Sequence, residues 1–216
     1  MTAREIPAAG FAVVDVETTG LDAATDRIIE IGCAITDAAG RVEKTWHSLI
    51  NPGIAIGNSD IHGITDAFVA HAPCFSEVAG FVAHLLNGRI AVMHNAAFDR
   101  AFLSAAYLRD NVRLPDQPWS LCTLDYSRKL WPRKRHSLTA CISYIGIDNP
   151  RHHAAVNDAV ATAGLLRHYL THTPLTLDGL VALDFSRAAR PGNPVAGWLA
   201  APPPDPAVPR PLTPAG

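Results

Sequence analysis

Phe11-Ala12-Val13-Val14-Asp15-Val16-Glu17-Thr18-Thr19-Gly20 is the stretch that decides how the rest of the chain is read. From Phe11 to Val16 it is apolar and rich in β-branched residues, the pattern of a buried strand. Two acids, Asp15 and Glu17, interrupt its end. Side chains at i and i+2 on a strand share a face, so the two carboxylates project together. Anions that close repel one another, and burying either without a partner is costly. A bound divalent cation relieves both problems, and oxygen-only ligands select a hard one, Mg²⁺ or Mn²⁺. Taken alone, the pair fits a solvated strand end with two surface acids equally well. Thr18-Thr19-Gly20 reads as a turn whose backbone can come close to a ligand.

Two later segments carry acids of the same kind. Arg89-Ile90-Ala91-Val92-Met93-His94 reads as another buried strand. Asn95-Ala96-Ala97-Phe98-Asp99 then enters a helix that runs to about Arg109. Phe98, Phe102 and Ala105-Ala106 recur there at helical spacing, and Asp99 falls in the first turn, where an acid also suits the helix dipole. The last segment, His153-Ala154-Ala155-Val156-Asn157-Asp158-Ala159, opens a helix expected from about Ala154 to His172. On one continuous helix, residues five apart point about 140° away from each other. His153 and Asp158 therefore converge only if His153 lies at or before the helix start, a placement that the tandem His152-His153 after Pro150-Arg151 fits. Each of these residues, taken singly, is equally at home as a packed or solvated side chain.

In this order, the motifs resemble the DEDDh 3′–5′ exonucleases, the DnaQ-like family that includes the proofreading epsilon subunit of bacterial DNA polymerase III. Asp26-Arg27-Ile28-Ile29-Glu30-Ile31-Gly32, Asn51-Pro52, Ile61-His62-Gly63-Ile64-Thr65 and His136-Ser137-Leu138 are similar as well. The resemblance spans roughly residues 10 to 171, with no departure at the five core positions. A histidine at 153, rather than a tyrosine four residues before the last acid, identifies the histidine branch. The fold implied is α/β and ribonuclease H-like, a mixed five-stranded sheet flanked by helices. The activity implied is metal-dependent 3′–5′ hydrolysis of phosphodiester bonds, with single-stranded DNA as the expected substrate and nucleoside 5′-monophosphates as products.

The same similarity implies the roles. Asp15 bridges two divalent cations, Glu17 and Asp158 complete the coordination of the first, and Asp99 binds the second. His153 acts as general base toward the attacking water. Thr18 and Leu21 contact the terminal nucleotide. His62, Asn95 and Phe98 are candidates for lining its pocket, with packing as the competing explanation for these three. An RNA-trimming enzyme using the same site and a non-catalytic nucleic-acid-binding scaffold are the alternatives. Retention of all five core residues argues against the scaffold.

Composition agrees with one globular domain plus an extension: 216 residues, 48% of them apolar and 18% charged. The formal net charge of −2 gives no global signature of nucleic-acid binding. That weighs little where bound cations would supply positive charge. One basic run stands out: Arg128, Lys129, Arg133, Lys134, Arg135 and His136. It fits a surface that tracks a phosphate backbone, and equally a solvated turn around Pro132. The four cysteines are scattered and suggest neither a zinc site nor a disulfide framework. With no signal-peptide pattern and no apolar stretch of roughly 18 residues, the expected setting is cytoplasmic, away from membranes. A polymerase or a repair protein is the candidate partner.

Strands are expected at about Phe11–Val16, Ile28–Thr36, Arg41–Ile50, Arg89–His94 and Trp119–Cys122. Asp37-Ala38-Ala39-Gly40 is expected to form a hairpin turn. Helices are expected at about Ser76–Asn87, from Asn95 to Arg109, and at Thr123–Leu130, Leu138–Ile145 and Ala155–Leu170. The nuclease domain is expected over residues 1–172 and a C-terminal extension over 173–216. From about Ala201 that extension is Pro-rich and expected to be disordered, a tether or tail unable to form regular structure.

Overall fold

The computed structural model describes residues 9–112, 120–149 and 153–173. Five strands form one sheet: β1 (Phe11–Thr18), β2 (Ile28–Thr36), β3 (Val42–Leu49), β4 (Ile90–Met93) and β5 (Ser120–Cys122). The spatial order is β3-β2-β1-β4-β5. Strands β1, β2 and β3 pair antiparallel, whereas β4 and β5 run parallel to β1, so the sheet is mixed. Seven helices accompany it among the described residues: α1 (Ser59–His62), α2 (Asp66–Val69), α3 (Phe75–Leu86), α4 (Ala96–Arg109), α5 (Thr123–Leu130), α6 (Leu138–Tyr144) and α7 (Ala155–His172).

The alternation of β1 sorts its side chains onto two layers. Ala12, Val14 and Val16 pack with Val78, Val82, Phe102 and Leu103 of α3 and α4. Phe11 and Val13 pack on the other face with Ala159, Ala163 and Leu166 of α7. Asp15 and Glu17 continue this second set by strand periodicity, so they emerge on the α7 face just where the strand ends. Strand β2 is in register with them: Asp15 lies opposite Gly32, and Glu17 opposite Glu30.

Helix α7 seats unusually low on the sheet because its contact residues are small. Ala155, Ala159 and Ala163 are fully buried, and Gly32 lies directly beneath the helix start. A Cβ on Gly32 would come 2.1 Å from the Ala155 carbonyl carbon, far inside contact distance. The opposite side of α7 buries Leu165 and Tyr169 against Leu138, Cys141 and Ile142 of α6. The helix is therefore covered on two sides and leaves Val160, Arg167, Thr171 and His172 exposed on the remaining one.

The expected elements are present, with shifts that have local causes. Helix α3 starts at Phe75 because the Glu77 carboxylate accepts the Cys74 backbone N–H at 2.8 Å, a cap that fixes the first turn. The hairpin at residues 37–40 forms, its Asp37 carboxylate accepting the N–H groups of Ala39 and Arg41. Strand β1 runs on to Thr18, with an irregularity in its pairing between Glu17 and Thr18. Helices α1 and α2 had no signal in the sequence, since four residues are too few to show a 3.6-residue period. Trp119 and the C-terminal extension lie outside the described residues, so the domain division at 172–173 and the disorder from 201 remain expectations. No helix among the described residues is long and apolar enough to cross a membrane.

The close approach at Gly32 gives a first test. Gly32→Ala forces α7 away from β2, and overpacking of this kind costs about 1–3 kcal/mol. Urea denaturation followed by circular dichroism should show a lower midpoint with an unchanged slope. A stability equal to wild type would mean that the helix start does not rest on this residue.

Candidate active site

The five core residues come together at the C-terminal end of β1. Asp15 and Glu17 project from β1 toward α7, and Asp158 is buried in the first turns of α7. Ligand-capable atoms of Glu17, His153 and Asp158 all lie within 4.8 Å of one another. Asp99 arrives from α4 and is 3% exposed; its Oδ1 accepts the Val16 backbone N–H at 3.2 Å. That bond ties the α4 carboxylate to the strand between Asp15 and Glu17. His153 lies before the helix, as convergence with Asp158 requires. Its φ is +65°, in the left-handed region, and its side chain is exposed. The His153 backbone N–H donates to Asp158 Oδ2 at 3.2 Å, so the turn is held by the acid it faces.

Electrostatics report the crowding directly. Burial, then the charges of Asp99, Asp158, Glu17 and Glu30, raise the Asp15 carboxyl well above its ordinary range. Burial raises Asp99 as well, against the hydrogen bonds it accepts. Glu17 is pushed up to about 7, first by burial and then by Asp158 and Glu30. Oxygen donors from four acids gathered at one place match what a hard divalent ion requires. The residues fit the metal.

A family profile described as an exonuclease (RNase_T) matches residues 12–166. The chain belongs to this exonuclease family. The DNA polymerase III PolC-type protein of Oceanobacillus iheyensis is 36% identical over 159 residues, covering 72% of this chain but 11% of that protein. The PolC-type protein of Thermotoga petrophila is 34% identical over 164 residues, 75% of this chain and 12% of that protein. This chain thus spans little more than a tenth of such relatives. Among solved structures, Exonuclease X in complex with 5′-overhanging duplex DNA superposes with a TM-score of 0.65 and 28% identity. That match covers 80% of this chain and 98% of that one. The nuclease domain of 3′hExo, a DEDDh family member bound to rAMP, gives a TM-score of 0.65 at 18% identity, over 74% of this chain and 90% of that one. The fold is the ribonuclease H-like fold of those nucleases, and residues 12–166 make up its exonuclease-family domain.

In this exonuclease domain the expected nucleotide-pocket residues have different standing. Leu21 is 86% exposed on the turn after β1, an apolar side chain held out beside the acids. Thr18 is buried, and its hydroxyl donates to the Gly20 carbonyl at 2.6 Å. The tight approach at Gly20 is made by the chain itself: a Cβ there would meet the Asp26 carboxylate at 2.4 Å. Asp26 accepts the Asp22 N–H and the Thr19 hydroxyl, so the turn is braced from within rather than left open for a ligand. His62 Nδ1 accepts the Ile64 N–H, which leaves Nε2 carrying the proton, buried and without a partner among the described residues. Burial lowers its pKa against the nearby Glu30 charge, which raises it, and the charge of a protonated His153 would lower it further. Asn95 is exposed in a left-handed conformation at the α4 N-cap. Phe98 is half-buried against Phe102, with ring centroids 4.8 Å apart, so packing already accounts for one of its faces.

Two supporting residues escaped the sequence reading. Glu30 is buried on β2, and its Oε2 accepts the Ala155 N–H at 3.1 Å, satisfying the first turn of α7. The signal was a charge inside the apolar run Ile28-Ile29-Glu30-Ile31, which burial makes costly unless it has a partner. Asn149 donates its side-chain N–H to Asp158 Oδ1, holding the acid from the side away from His153.

The raised carboxyls make the metal-free protein sensitive to pH. A native state with raised acid pKa values binds more protons than the unfolded chain, so its stability falls as pH rises from the ordinary carboxylate range through about 7. Asp99→Asn keeps an acceptor for the Val16 N–H and removes one charge. In chelator at pH 8 it should therefore melt above wild type, and the difference should shrink by pH 5. Thermal melts at the two pH values check this, and a wild type that is the more stable at pH 8 would contradict it.

Proposed function

We propose that the domain removes nucleotides one at a time from the 3′ end of a DNA strand, hydrolysing the terminal phosphodiester and releasing nucleoside 5′-monophosphates. The observation that carries this reading is the meeting of Asp15, Glu17, Asp99, Asp158 and His153, drawn from three distant segments, at the end of β1. Asp15, Glu17 and Asp158 would hold one divalent cation, Mg²⁺ or Mn²⁺, and Asp15 with Asp99 a second. Such a pair supplies charge stabilisation for the phosphoryl oxygens and an acidified attacking water. The protein's own part is positional. His153, exposed at the rim, accepts the water's proton; the Asp158 carboxylate fixes its backbone by accepting its N–H. Leu21 would press on the terminal base, and Thr18, His62, Asn95 and Phe98 would border the sugar and base.

Single-stranded DNA is the favoured substrate. DNA is supported by the structure of Exonuclease X, a complex with 5′-overhanging duplex DNA, and by the PolC-type relatives, which are DNA polymerases; the single strand is the expectation from the family resemblance. A polymerase-associated editing role follows from those relatives, with independent repair as the other setting for the same chemistry. Digestion of single-stranded DNA, duplex DNA and RNA, each labelled at its 5′ end, with Mg²⁺ and then Mn²⁺, ranks the substrates. A ladder shortening one nucleotide at a time establishes the polarity. Immediate release of the labelled 5′ nucleotide would reverse it, and internal cuts would replace it with an endonuclease.

His153 is close enough to Glu17 and Asp158 to be a ligand rather than a base, and its variants separate the two. As a base, His153→Ala should cost about 10²–10⁴ in turnover, flatten the acidic limb of the pH–rate profile and leave Mn²⁺ affinity by calorimetry nearly unchanged. A tenfold or larger loss of Mn²⁺ affinity would make it a ligand. Asp15→Ala should be inert with either metal, yet in chelator melt no lower than wild type, because it removes a repelling charge.

A further inference from the structure

The basic run singled out in the sequence lies on α5 and the loop to α6, and nothing in the carboxylate site uses it. Arg128, Lys129, Arg133, Lys134 and Arg135 are all exposed. Arg128 pairs with Asp125 at 3.0 Å. Among the described residues, Lys129, Arg133, Lys134 and Arg135 have no carboxylate at ion-pair distance. On a chain of net charge −2 this is a local concentration of like charge, which a freely solvated turn would disperse.

The loop instead is fixed. Trp131 packs edge-on against Tyr144 at 5.4 Å and tilted against the buried Tyr169 at 5.9 Å. The Lys134 N–H donates to the Trp131 carbonyl, and its ammonium sits 4.4 Å above the Tyr144 ring. The Arg135 N–H donates to the Tyr144 hydroxyl at 3.1 Å. Finally, the His136 carbonyl accepts from His94 Nε2 at 2.8 Å. His94 directly follows β4 and precedes Asn95 at the α4 N-cap, so the loop is bolted to the same end of the sheet as the acids. Burial holds His94 down at about 4, against its bond to the His136 carbonyl and the charge of Asp158, which raise it, while Arg128 and His136 lower it. The basic loop and the carboxylate cluster are thus two banks of one edge.

We propose that this loop is a backbone-tracking surface for the single-stranded DNA whose 3′ end occupies the carboxylate cluster, gripping phosphates several nucleotides upstream of the scissile bond. The assignment rests on the exonuclease reading of that cluster. Rigid cations beside a negatively charged site serve this purpose: the strand is attracted along its length while the acids with their cations act only at its end. Binding by charge is independent of base, as stepwise removal of any nucleotide requires.

The test is Lys129→Gln/Arg133→Gln/Arg135→Gln in the full chain, leaving Lys134 in place on Tyr144. With a twenty-nucleotide oligo(dT), KM should rise at least tenfold at low salt. The slope of log KM against log salt should fall by about 2, three contacts at about 0.7 each. Hydrolysis of the p-nitrophenyl ester of thymidine 5′-monophosphate, which has no upstream phosphates, should be unchanged, as should the melting temperature. Unchanged KM and salt slope with the oligonucleotide would remove the loop from the strand's path. A parallel loss on the ester would show that the substitutions act through the site instead, and overturn the proposal too. If oligo(rU) responds and oligo(dT) does not, the assignment to DNA fails. Should wild type cleave neither substrate, the exonuclease reading fails on its own. Fluorescence anisotropy with labelled oligo(dT) then still decides the loop: equal affinities for wild type and variant would refute it.

Discussion

Mutual repulsion among Asp15, Glu17, Asp99 and Asp158 is the constraint to which the rest of this structure answers. Four carboxylates placed this close would separate or stay protonated in a pliant scaffold. Here each is carried on an element that cannot easily retreat. Asp15 and Glu17 are on the central strand, paired with β2 as far as Thr18 and anchored to β4 over Phe11–Val13. Asp158 is on a helix buried against sheet and helices alike, and Asp99 is moored to the Val16 amide. The raised carboxyl pKa values measure the tension that remains, and a cation would release it.

Around this cluster several supporting bonds run from backbone to acid. Val16 donates to Asp99, His153 to Asp158 and Ala155 to Glu30. Amide donors orient a carboxylate without neutralising it, so the oxygen lone pairs left over keep their charge for an ion. An arginine in the same place would have stabilised the apo protein and competed with the metal. The left-handed backbone of His153 belongs to the same economy. A non-glycine residue held there bears a strain of order 1–3 kcal/mol, and the Asp158 bond and the α7 N-terminus keep it in place.

Much of this was legible in the sequence, for reasons that differ from residue to residue. The shared face of Asp15 and Glu17 follows from strand alternation alone, and the placement of His153 ahead of its helix follows from helical geometry. Asp99 and Asp158 were not decided by spacing; either could have been a surface acid, and only the ordered resemblance joined them to the first pair. Glu30 was passed over because its partner, the Ala155 N–H, is remote in sequence and backbone amides leave no trace in a residue pattern. Gly20 was read as room for a ligand when it is room for Asp26. Phe98 had two explanations, and its contact with Phe102 shows that packing is at least one of them.

The position of α7 at the end of the described chain has a consequence for how the molecule is made. One face of the sheet, with Phe11, Val13, Ala34, Val92 and Leu121, is covered by Ala159, Ala163 and Leu166, and the same helix delivers Asp158 next to Asp15. Neither the second core layer nor the site can close until nearly the whole domain has been synthesised. Contacts so distant in sequence close slowly, because the intervening chain must first lose its freedom. A nascent chain that has formed β1, β2 and β4 presents an uncovered apolar sheet for that interval, a surface prone to association. It also lacks the last acid and the histidine. The proposed site is therefore incomplete until the core of the domain is complete.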